Sequence, residues 1–168
     1  MMLRFYGTGL SPLVFLLLLT ACGRPPGPLA DQYLVIRQGN QFGYIDREGN
    51  VVVAPQFAYA LPFSEGLGAV NVGGTDGGGT HMPTNGKWGF INERGSFIIN
   101  PQFFSPPESA LPFDPGQVQQ VLHKAYIFSE GKAAVRTQDR WVYIDTTGKQ
   151  VLQPDRITAA RRFCEGLA

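Results

Sequence analysis

Histidine and cysteine are scarce in this chain, with two of each in 168 residues. His81 and His123 have no compact set of ligand residues around them, so a metal site would need chance convergence of distant groups. Charged residues make up only 16% of the chain and nearly cancel, at 14 Lys/Arg against 13 Asp/Glu. A nucleic-acid binder needs a basic surface to release counterions, and none is present. A polybasic patch for anionic lipid is missing as well. The one long apolar run, Leu10 to Leu19, reaches about half the ~20 residues needed to span a bilayer. Helical periodicity is also lacking, because 21 glycines and 13 prolines recur throughout. Gly73 to Gly79 is glycine-rich, but no Lys-Ser/Thr follows it and no helix signal begins there, which argues against phosphate binding.

The chain opens with a targeting segment. Arg4 and the Leu10–Leu19 stretch have the layout of a cleaved export signal. Leu19-Thr20-Ala21-Cys22 resembles the lipobox of bacterial lipoproteins, which implies cleavage before Cys22 and lipidation of that cysteine. An ordinary secretory signal with Cys22 as an incidental thiol is the alternative. Gly23-Arg24-Pro25-Pro26-Gly27-Pro28 then makes an extended spacer, since such a run builds neither helix nor ladder. One acyl chain anchors only marginally, whereas the two or three of bacterial lipoproteins anchor durably. Arg24, where Asp would signal inner-membrane retention in a Gram-negative host, points to the outer membrane. Removing residues 1–21 takes Arg4 and no acid, leaving 13 Lys/Arg against 13 Asp/Glu. With Cys22 lipidated, Cys164 has no partner within the chain and no intramolecular disulfide forms.

The rest repeats itself. Phe42-Gly43-Tyr44-Ile45-Asp46 returns as Trp88-Gly89-Phe90-Ile91-Asn92 and as Trp141-Val142-Tyr143-Ile144-Asp145. A turn glycine follows in each copy (Gly49, Gly95, Gly148), then a proline (Pro55, Pro101, Pro154). Phe63-Ser64-Glu65-Gly66, Phe128-Ser129-Glu130-Gly131 and Phe163-Cys164-Glu165-Gly166 close the units. Cys164 therefore stands where the other copies have serine. Such self-similarity marks an array whose units hide their apolar faces against one another.

Each Asp/Asn-x-x-Gly segment reads as a type I turn leading into a left-handed glycine. It joins an aromatic strand (42–46, 87–92, 140–145) to an aliphatic one (51–53, 97–99, 149–152). A further strand precedes each aromatic one, at 34–37, 69–72 and 133–136, completing a three-stranded antiparallel meander. The prolines are expected to end the aliphatic strands, because proline cannot donate to a ladder. Phe42 and Tyr44 should share one face, with Gly43 and Ile45 on the other. The glycine beside the aromatic should admit a neighbouring unit closely, and Val142 should loosen that contact in the third copy. Trp88 and Trp141 are expected in the core, since an isolated meander is unstable without burying its aromatics. Two insertions, Gly73 to Gly86 and Phe104 to Ile127, interrupt the array, and 118–124 could form a short helical turn.

These motifs resemble the WG repeats of many bacterial proteins, over about 42 to 168 apart from the insertions. Phe42, Val142 and Cys164 depart from the commonest residues at their positions. The resemblance implies an all-β array of three antiparallel meander repeats, often exported or surface-associated, with no established catalytic residues and no cofactor. The expected organisation is a signal peptide over 1–21, a lipidated tether over 22–32 and a β-repeat domain over 33–168. The repeats then occupy approximately 33–72, 87–136 and 140–168.

Glu65, Glu130 and Glu165 recur at equivalent places. An active site is assembled once, whereas a scaffold element is copied with its unit. These carboxylates are therefore expected to accept backbone N–H bonds at a tight glycine turn. Asp46, Asn92 and Asp145 have the same explanation, and Asn92 shows that charge is not required. The expected function is a non-enzymatic, lipid-anchored β-repeat protein of the bacterial envelope that binds another protein, with no nucleic acid and no metal. The alternative is a carbohydrate or peptidoglycan-binding module using exposed Tyr59, Phe104 or Tyr126. The third copy lacks the strand that follows its predecessors, so 34–37 or a partner chain could fill the vacant place, and some protection of the open edge is expected.

Overall fold

The structure is a computed structural model that describes residues 32–75, 83, 85–106 and 125–154. Cys22 and the targeting segment, His81, His123, the 118–124 segment, Cys164 and Glu165 lie outside the described residues. What remains is nearly all β. Short runs of aromatic and β-branched residues, cut by glycine turns, form ten strands in three antiparallel sheets.

The first sheet is β1 (Tyr33–Gln38), β2 (Gln41–Asp46) and β3 (Val51–Phe57) in that order. The second contains β4 (Tyr59–Ala60), β5 (Gly68–Val72), β6 (Lys87–Ile91) and β7 (Phe97–Phe103). The third contains β8 (Lys132–Arg136), β9 (Trp141–Asp145) and β10 (Gln150–Leu152), with β9 in the middle. Each repeat is the expected meander, and β4 is an addition to it. The turns behave as read. Gly49, Gly95 and Gly148 have φ of 88°, 76° and 85°, and their N–H groups donate to the carbonyls of Asp46, Asn92 and Asp145.

The prolines act differently. β3 and β7 run on through Pro55 and Pro101. Phe42 pairs with Phe57 and Tyr44 with Val53, so one residue of β2 faces three of β3. Pro55 sits in that bulge, outside the ladder, where its missing N–H costs nothing. β6 and β7 repeat the shift around Pro101. Only β10 stops short of its proline, at Leu152.

The bulge also explains the glycine beside each leading aromatic. A Cβ at Gly43 would lie 2.4 Å from the Val53 carbonyl oxygen, and one at Gly89 2.7 Å from that of Ile99. The close approach thus comes from the next strand of the same sheet, not from a neighbouring repeat.

The long strands link one sheet to the next. Past the end of β3, Ala58 N donates to Asn71 O (2.9 Å) and Leu61 N to Ala69 O (2.9 Å), so the chain passes from the first sheet to the second. At the equivalent place Phe104 N donates to Arg136 O at 2.8 Å, joining the second sheet to the third. β1 pairs only with β2, so residues 34–37 belong to the first meander and do not fill a place beside β10. Among the described strands, β1 and β10 are outer strands of their sheets.

Burial follows from this stacking. Ile91 and Val70 of the second sheet join Tyr44, Val53 and Phe63 in one core. Trp88, Phe90 and Ala69 point the opposite way and join Trp141, Tyr143 and Phe128 in another. The middle sheet is a wall shared by two cores, so β6 is covered on both faces. β9 is likewise buried along Trp141-Val142-Tyr143-Ile144. Alternate residues of β6 thus enter different cores, Trp88 and Phe90 one and Ile91 the other.

Candidate functional site

Two kinds of turn join the repeats, and both involve side chains that recur along the sequence. Ser64-Glu65-Gly66-Leu67 closes on itself, with Ser64 N donating to Leu67 O (2.9 Å) and Leu67 N to Ser64 O (3.0 Å). Glu65 and Gly66 have φ of 52° and 80°, the two left-handed residues of a type I′ turn. Ser129-Glu130-Gly131-Lys132 repeats it, with φ of 53° and 70°. A side chain in the left-handed region costs about 1 kcal/mol. At Glu65 the carboxylate offsets that cost by accepting from Glu130 N (2.8 Å) and Gly131 N (2.9 Å). Ser64 Oγ adds a bond to Phe128 O at 2.8 Å. The expected carboxylate-to-turn bonds exist for Glu65, but the turn that it holds is that of the next repeat.

The second kind is the Asp/Asn turn. Asp46 Oδ1 accepts from Asn50 N, Asn92 Oδ1 from Arg94 N and Ser96 N, and Asp145 Oδ1 from Thr147 N and Lys149 N. The Asn50 side chain holds the Asp46 carboxyl below the usual carboxylate range, and the Thr147 hydroxyl does the same for Asp145. Asn92 makes equivalent bonds without charge, so these residues shape backbone. The turn glycines also seat on the preceding repeat. A Cβ at Gly95 would be 3.3 Å from Val53 Cγ1, and one at Gly148 would be 3.0 Å from Ile99 Cγ2. Sequence reasoning missed this seat. Its signal was the pairing of an invariably aliphatic third strand position with a glycine turn one repeat later.

The aromatics form a continuous file through the core. Phe42 meets Tyr59 (4.8 Å between centroids), Tyr59 meets Trp88 (6.1 Å), Trp88 stacks on Tyr126 (4.9 Å), and Tyr126 meets Trp141 (6.0 Å). Each such pair adds about 0.5–1.5 kcal/mol beyond its buried area. Trp88 and Trp141 are buried as expected. Tyr59 and Tyr126 are buried too, contrary to their expected exposure, because each bridges the leading aromatics of successive repeats. Of the three rings considered for glycan stacking, only Phe104 is partly open, and Lys87 lies over its face. Buried hydroxyls find carbonyl partners: Tyr44 OH donates to Leu61 O at 2.8 Å, and Tyr126 OH donates to Phe104 O. Burial pushes both phenols far above their ordinary pKa, so they remain protonated donors.

The surface has a different character. Leu34, Val51, Phe97, Ile98, Val151 and Leu152 are exposed on the strands. Among the described residues no group of three His, Cys, Asp or Glu is placed to hold a metal ion.

An array of meanders joined by strand hand-over, seated turns and a shared aromatic file is a β-repeat module. The family model for the WG containing repeat matches residues 42–75, 88–103 and 143–168, so the chain carries WG repeats in those segments. No curated protein and no solved structure matches it significantly.

Proposed function

We propose that this protein is a non-enzymatic β-repeat module of the bacterial envelope, tethered to a membrane through lipidated Cys22 and binding another protein. One observation carries the reading. The polar side chains copied with each repeat are engaged in turns, as Glu65, Asp46, Asn92 and Asp145 are, and the copied aromatics Trp88 and Trp141 are buried. What the strands leave exposed includes aliphatic and aromatic residues, Val51, Phe97, Ile98 and Val151 among them. Apolar side chains on exposed strands suit protein recognition. The Leu19-Thr20-Ala21-Cys22 motif supports the tether.

The test has two arms. Mass spectrometry of the full protein recovered from membranes should find an acylated Cys22 as the first residue, and Cys22→Ala should release the protein from the membrane fraction. Crosslinking in living cells should trap a protein partner on the Val51–Ile98 surface. An unmodified Cys22 ends the anchor, and repeated failure to trap any specific protein ends the binding role.

A further inference from the structure

The internal joints of the array provide a template for a contact that the described residues leave unmade. Val53 pairs with Tyr44 across the ladder, Ile99 with Phe90, and Leu152 with Tyr143, so these three aliphatic residues are equivalent. Val53 is 4% exposed beneath the Gly95 turn, and Ile99 is 3% exposed beneath the Gly148 turn. Leu152 is 44% exposed. At the other side of the array the complementary half is open. The Gly49 turn has the same Asp-x-x-Gly hydrogen bond and the same left-handed glycine as its two counterparts, yet a Cβ at Gly49 would meet nothing within 4 Å. Among the described residues, one repeat thus shows a seat without a turn, and another a turn without a seat.

We propose that the Leu152 seat of the third repeat receives the Asp46–Gly49 turn of a second copy of this chain. The occupant follows from chemistry already present twice within the fold. A branched aliphatic residue takes a glycine turn that has no Cβ to hold it off. Seat and turn are different patches, so the contact is heterologous and each copy offers a fresh seat to the next. It therefore builds chains or a closed ring, not an isolated pair. A single turn on a single seat is far smaller than the ~1,000 Å² of a stable interface, so the assembly depends on concentration. The proposal goes beyond the protein-binding reading and does not use Cys22. Its failure leaves the anchor standing.

The test is photo-crosslinking of the full chain in the cells that make it, with Glu48 replaced by p-benzoylphenylalanine and light and heavy isotope copies mixed. The expected result is a ladder of dimers, trimers and higher forms, with light-heavy peptides joining position 48 to 150–153. Leu152→Glu should reduce that ladder by about tenfold or more, since a carboxylate would be buried without a partner. Because Leu152 is exposed in the single copy, the variant should keep its circular dichroism and melting transition. Several outcomes overturn the proposal: peptides joined only within one chain, including to residues 155–168; a dimer with no higher forms; capture of a different protein; no crosslink; or a ladder that survives Leu152→Glu.

Discussion

The first two repeats and the third share a plan and differ in one strand. β3 and β7 each run seven residues and pass on to the next sheet, whereas β10 is three residues long and exposed throughout. The residue after the leading aromatic differs as well. Gly43 and Gly89 let the bulge at the proline close to within a few ångströms of the strand beside it. Val142 occupies the same place in β9 and is buried. Within the described residues β10 keeps the first two pairings of its counterparts, Gln150 with Ile144 and Leu152 with Tyr143. Neighbouring repeats also set the burial of each strand. A turn arriving from the next repeat decides whether its third aliphatic residue is core or surface.

Substitutions can break this contrast in order of expected size. Ile99→Ala should cost about 3 kcal/mol in a denaturant titration of the full chain, as expected for a buried aliphatic residue, whereas Leu152→Ala should cost under about 1 kcal/mol. Equal losses would mean that the two positions are not in different environments. Gly89→Val should make the second repeat resemble the third, destabilising it by about 2 kcal/mol through overpacking. Hydrogen exchange should then speed up at Gln102 and Phe103 while Phe97 to Ile99 stay protected. Uniform protection along β7 would show that the bulge tolerates a side chain.

Glu65→Ala should cost about 1 kcal/mol, because its two charge-assisted bonds are at the surface, and Glu65→Gln less. The informative readout is exchange at Glu130 and Gly131, which should lose protection first if the joint between repeats loosens.

The smallest effect concerns pH. Asp46 and Asp145 are held below their ordinary values by folding, through Asn50 and Thr147 respectively. Their contribution is full above the unfolded-state value of about 4 and is lost as pH falls through the folded values. The double variant Asp46→Asn/Asp145→Asn should flatten the loss of stability below about pH 4, with Asn92 as the natural precedent. An unchanged acid slope would remove these two groups from the explanation.

Much of this was legible beforehand. The three meanders, their strand order, the glycine turns and the burial of Trp88 and Trp141 follow from local chemistry that returns at a fixed spacing. Pro55 and Pro101 were misread, because a ladder rule was applied where a bulge removes the ladder. Tyr59 and Tyr126 were read as surface, since nothing in their flanking residues shows that a ring from another repeat lies beside them. The Glu65 bonds were foreseen in kind, but their partner was not, because a carboxylate's reach to a turn sixty-five residues away is invisible along the chain.

By itself, the sequence determined the units: where strands start, where turns fold, and which aromatics must be hidden. Those outcomes depend on backbone preferences and on short-range pairing, which neighbouring residues set among themselves. Tertiary structure alone decided that the middle sheet has two buried faces, that the Gly95 and Gly148 turns rest on the preceding repeat, and that Leu152 is exposed. These depend on which surfaces meet across long separations, and identical local motifs become buried or exposed according to whether a neighbour arrives.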